Sequence, residues 1–150
     1  MSVEPTRNPP AISEIVGPID RRLTEVLNIE RSKWVAVDAS LAEPFDALEA
    51  LILVEGKEFA QLFHWAHVGA GGDPDSGVAI DAAAAIEMLH AFALAHDDVM
   101  DHSSSRRGEP SIWQRFATFH GDNAWKGDAR DFGKQLRFSL VISRTSLQIV

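Results

Sequence analysis

The densest chemistry in this 150-residue chain is the stretch Ala95-His96-Asp97-Asp98-Val99-Met100-Asp101-His102, followed closely by Arg106-Arg107-Gly108. If the residues before it are helical, Asp97 and Asp101 lie one turn apart on one face, and Asp98 is turned about 100° away. Two carboxylates at that spacing repel by about a few tenths of a kcal/mol, and acids at a helix C-terminus also oppose its dipole. A compensating cation is the natural remedy. Mg²⁺ suits the donor set, because it takes oxygen ligands, keeps much of its water and bridges one or two carboxylates to phosphates. The arginine pair supplies matching phosphate contacts. Acid and base flanking one spot therefore point to a metal-bridged diphosphate.

The run that must carry this cluster is the strongest helix signal in the sequence. Ser76 is a candidate N-cap, and residues 78–101 hold Ala82 to Ala85, Ile86, Met88, Leu89 and Val99 with almost no β-branched stretch. Being apolar nearly all round, it is expected at the centre of the fold. His90, Asp97 and Asp101 share a narrow stripe along it, since seven residues is close to two turns. Upstream, residues 13–37 read as an amphipathic helix with Ile15, Ile19, Leu23, Val26, Leu27 and Trp34. Residues 43–55 form a second helix, with Pro44 in its first turn. After Gly56 a third helix over 57–68 ends at Gly69-Ala70-Gly71-Gly72-Asp73-Pro74. Residues 102–111 read as a loop and 112–119 as a return to helix. By contrast, 136–143 alternates like an isolated strand with nothing to pair with. The domain reading is a flexible start (1–12), one helical domain (13–133) and an atypical tail (134–150).

Composition narrows the classes. With 14 basic and 22 acidic residues the net charge is −8, which opposes a nucleic-acid footprint. The absence of cysteine removes disulfides and thiolate metal sites, so a cytoplasmic protein is expected. No uninterrupted apolar stretch reaches the roughly 18 residues of a membrane span. His64, His67, His96, His102 and His120 show no ligand spacing and read as structural or surface residues. Trp34, Trp65, Trp113 and Trp125 read as packing anchors.

The cluster resembles the first aspartate-rich motif of the trans-polyprenyl diphosphate synthases of farnesyl or geranylgeranyl type. In that family D-D-x-x-D closes a long helix and is followed by R-R-G and a proline. Here the corresponding residues are Met88-Leu89-His90, Asp97-Asp98-Val99-Met100-Asp101 and Arg106-Arg107-Gly108-Glu109-Pro110, within a likeness running over about 47–133. The resemblance implies an all-α, isoprenoid-synthase-like helical bundle, truncated to its N-terminal half. It also implies Mg²⁺-dependent prenyl transfer from an allylic diphosphate to isopentenyl diphosphate. On this likeness Asp97, Asp98 and Asp101 are the metal-binding, catalytic acids, and Arg106 contacts the allylic diphosphate. Lys57, His90 and Arg107 contact isopentenyl diphosphate, and Phe92 sits where the family limits product length.

Two departures stand out. The family's G-G-K-x-x-R-P motif matches Glu55-Gly56-Lys57-Glu58-Phe59-Ala60-Gln61, so Ala60 stands where an arginine is expected. Losing one charged contact removes about 1.5–3 kcal/mol, roughly ten- to hundredfold in binding. The family's second aspartate-rich motif lies beyond residue 150, and a truncated or frame-shifted product is the expectation. Two activities follow from the resemblance: a prenyltransferase, or a non-catalytic helical subunit that forms a homodimer or pairs with a full-length synthase.

Overall fold

The computed structural model describes residues 12–54 and 58–135. The flexible start, Lys57 and the strand-like reading of 136–143 lie outside the described residues, apart from Ile12. The chain runs through α1 (Ile12–Val35), a 3₁₀ turn (Ala39–Leu41), α2 (Ala42–Val54), α3 (Glu58–Gly69) and α4 (Gly77–Met100). A small hairpin follows, β1 (Ser105–Arg106) and β2 (Glu109–Pro110), then α5 (Ile112–Asp122). Residues 129–135 are again helical and are called α6 here. The all-α expectation holds, with the hairpin and the 3₁₀ turn as additions.

Periodicity explains the packing. Ile19, Leu23 and Leu27 repeat every four residues along α1 and are buried, meeting Ala47, Leu48 and Ile52 of α2. The α4 side of this core is made of alanines, Ala83, Ala84, Ala91 and Ala95. Small side chains there let neighbouring helices approach closely, and α4 contacts α1, α2, α3 and α5. Its N-terminus is capped as its sequence suggests, Ser76 Oγ accepting from the Ala79 amide. By length and composition α4 would pass for a membrane span, with mean hydropathy 1.6. In this fold that apolar length serves as the axis of the bundle.

The α6 helix begins at Asp128, whose Oδ1 accepts from the Arg130 and Asp131 amides. Those bonds, Asp131's first, hold its carboxyl below the usual range. Gly133 then meets α5 so closely that a Cβ would sit 2.2 Å from the Trp113 carbonyl oxygen, so only glycine fits there. Among the tryptophans, Trp113 is buried and donates from Nε1 to the Ser103 carbonyl. Trp125 packs edge-on against Phe119 and Phe132, and like Trp34 and Trp65 it is partly exposed.

His64 of α3 is only 2% exposed, and neither ring nitrogen has a hydrogen-bond partner among the described residues. Burial, reinforced by the nearby His67, pushes its pKa below the usual 6.5. The folded state thus favours the neutral ring. Above pH 6.5 that preference has no consequence. As pH falls below 6.5 the unfolded chain takes the proton first, and stability is lost until the folded-state pKa is also passed. Denaturant unfolding at a series of pH values should show this loss in wild type, and His64→Leu should remove it.

Candidate functional site

The site is built where α4 stops. The Asp101 amide donates to the Asp97 carbonyl at 2.8 Å, the His102 amide to Val99 and the Ser103 amide to Asp98. With His102 at φ 56°, these bonds form a Schellman ending in which histidine occupies the left-handed position usually taken by glycine. The His102 ring compensates locally, its Nδ1 lying 3.0 Å from the Met100 carbonyl.

The segment read as a loop contains the two-strand hairpin, with Ser105 opposite Pro110 and Arg106 opposite Glu109. Its two-residue turn is Arg107-Gly108, with φ of 51° and 87°. Two positive φ values identify a type I′ turn, whose twist matches the strands. Arg107 is exposed at the tip, and Arg106 is carried on the strand that faces back toward α4.

Helical geometry separates the three aspartates as the spacing requires. Asp97 and Asp101 are both exposed at the end of α4. Asp98 points the other way, is 4% exposed, and binds Arg106 in a fork: Nε to Oδ2 at 3.0 Å and Nη2 to Oδ1 at 2.9 Å. Arg106 Nη2 also reaches the Leu94 carbonyl at 3.4 Å. The structure therefore brings together Asp97 with Asp101, and separately Asp98 with Arg106. No group of three or more acidic, histidine or cysteine side chains forms a ready metal cage among the described residues.

His90 lies seven residues before Asp97 on the same stripe, about 10 Å up the helix. Phe59 of α3 packs edge-on against it, with ring centroids 4.7 Å apart. Ala60, the position where an arginine was expected, is fully buried in the core. Phe92 is partly buried beside His96, with ring centroids 6.1 Å apart. Sequence reasoning passed over Glu87, which is fully buried and lies 3.7 Å from His90. Its signal was available: Glu87 and His90 are the polar residues within the otherwise apolar run 82–95.

The Polyprenyl synthetase family model matches residues 43–124, more than half of the chain, taking in α2 from its second residue and all of α3 through α5. The chain belongs to this family. Among relatives of this polyprenyl synthetase chain, the short chain isoprenyl diphosphate synthase of Methanothermobacter thermautotrophicus is 46% identical over 100 residues, covering 60% of this chain and 30% of that protein. The geranylgeranyl diphosphate synthase of Mycobacterium tuberculosis is 48% identical over 59 residues, 39% of this chain and 16% of that one. The fold is similar to that of geranylgeranyl pyrophosphate synthase from Corynebacterium glutamicum, solved with isoprenyl diphosphate and magnesium. The TM-score is 0.75 at 25% identity, over 91% of this chain and 40% of that one. The chain thus spans less than half the length of each of these relatives.

Proposed function

We propose that the end of α4 is a binding site for a magnesium-bound allylic diphosphate, within a prenyl transfer that extends it with isopentenyl diphosphate. The observation that carries this reading is the exposed pair Asp97 and Asp101, one turn apart, beside a hairpin bearing Arg106 and Arg107. Two exposed carboxylates fit Mg²⁺, which draws the rest of its shell from water and phosphate oxygens rather than from a closed protein cage. When bound, the metal would neutralise charge growing on the leaving diphosphate as the allylic carbon–oxygen bond ionises.

The chain's own residues do the positioning. Asp97 and Asp101 hold the metal side of the diphosphate. Buried Asp98 aims the Arg106 guanidinium instead of acting as a third outward ligand. Arg107, at the turn tip, and Lys57 contribute charge toward isopentenyl diphosphate, and His90 offers a ring nitrogen to the same group. Phe92 limits product length. The setting for this chemistry is the cytoplasm.

A second reading is favoured by α3, which exposes Phe59, Leu62, Phe63 and Trp65. Such an apolar face suits a helical subunit that docks on another synthase chain, as a homodimer or a heterodimer. One assay separates the two. The chain is supplied alone with Mg²⁺, labelled isopentenyl diphosphate and an allylic primer. Labelled prenyl product supports the enzyme, and no product at saturating substrates ends that reading for the isolated chain. Product that forms only beside a full-length synthase supports the subunit.

A further inference from the structure

A single narrow stripe fastens α3 to the bundle. Ala60, His64 and Val68 repeat every four residues and are its buried side chains, whereas Phe59, Leu62, Phe63 and Trp65 stay between 38% and 62% exposed. Two of the three fastenings are small and apolar, and the middle one is an imidazole. Its Nδ1 and Nε2 are both buried without a hydrogen-bond partner among the described residues, as is Nε2 of His67. The two rings lie 6.2 Å apart between centroids, and that of His67 rests on the following turn, where a Cβ on Gly72 would fall 2.3 Å from Nε2. A proton added to His64 would bring a second N–H and a charge into a place that already leaves the first N–H unanswered.

Nothing nearby offsets such a charge. The helices packed against α3 are α4 and α1. Of their partly or fully buried titratable groups, Arg31 is engaged with Asp46 of α2 and Asp98 with Arg106 of the hairpin. Arg22 pairs with Asp81, Glu30 with Lys33, and Glu87 lies beside His90. Asp20 and His96 complete the set. The charge that bears on the His64 ring, among the described residues, is that of His67, and it is of like sign.

We propose that α3 is an acid-released segment: protonation of His64 detaches it from α1 and α4 while the rest of the bundle stays folded. A hinge stands at its C-terminal end, where Gly71 sits at φ 92° in the glycine-rich turn. Release also takes Phe59 away from the His90 ring that it packs against. The device is local, and so differs from a loss of the whole fold.

Hydrogen exchange of the full chain at pH 7.5 and 5.5, with each amide corrected for its intrinsic rate, reads the opening region by region. With His64 back at its ordinary 6.5 once released, the open population of α3 should rise up to about tenfold between those pH values. Amides of α2 and α5 should keep their protection. His64→Leu should abolish the rise, and His67→Gln should retain it. Nuclear magnetic resonance of the wild-type rings needs no substitution, and the His64 signal should titrate together with the exchange of α3. Equal protection of α3 at both pH values, opening of α2 and α5 in step with α3, or a rise that survives in H64L would each overturn the proposal.

Discussion

Asp98→Ala should lower the stability of the whole bundle by about 3 kcal/mol, which for a chain of this size is roughly 10 °C in melting temperature. The reason is asymmetry. Asp98 and Arg106 have side chains only 5% and 23% exposed, so removing one leaves the other charge with little water and no matching fork. Arg106→Ala should be nearly as damaging, because it strands the more deeply buried carboxylate. The double variant should lose much less than the sum of the two, since the second change removes the charge the first left uncompensated. Thermal and denaturant unfolding of the four proteins closes this cycle. Single variants within about 0.5 kcal/mol of wild type, the range of ordinary surface changes, would mean the fork is no more than a surface contact.

Asp97→Asn combined with Asp101→Asn should have effects of opposite sign on binding and on stability. Each removes a charged contact to the metal, and the pair should weaken Mg²⁺-dependent diphosphate binding by at least about a hundredfold. The same changes remove two negative charges from the negative end of a helix dipole and relieve their mutual repulsion. Stability should therefore rise by about 0.3–1 kcal/mol per site. Calorimetric titration and unfolding of the same preparations give both numbers. If binding survives while stability rises, the acids are merely badly placed surface charges, and the proposed site loses its basis.

How far the sequence could be read depended on what kind of signal each element left. Four-residue repeats such as Ile19, Leu23 and Leu27 identify a helix and its buried face together, and Ser76 marks a start with its own side chain. The hairpin left almost nothing, because its strands are two residues each and its turn uses Arg107-Gly108 rather than the Asn-Gly or Asp-Gly pair that usually marks a type I′ turn. The helix over 129–135 was hidden in a short charged run where Asp128, its cap, looks like any surface acid.

At the site, the separation of Asp98 from its two neighbours was legible in the 100° step, but its partner was not. Arg106 is eight residues away, and only the fold of the hairpin returns it to α4. Glu87 needed a different question, namely why an acid survives among alanines. His64 gave no signal at all, since nothing local distinguishes a buried histidine from an exposed one.

Asp98 also closes a circuit. Its backbone carbonyl takes the Ser103 amide where the chain leaves α4, and its carboxylate takes Arg106 where the hairpin begins. Entry and exit of the connecting strip are thus clasped on a single residue, and Trp113 fastens the same strip from the far side through the Ser103 carbonyl. The exposed bend at Ser104 can consequently drift in composition without disturbing what it joins. Variation between lineages should gather in that bend and spare the clasp.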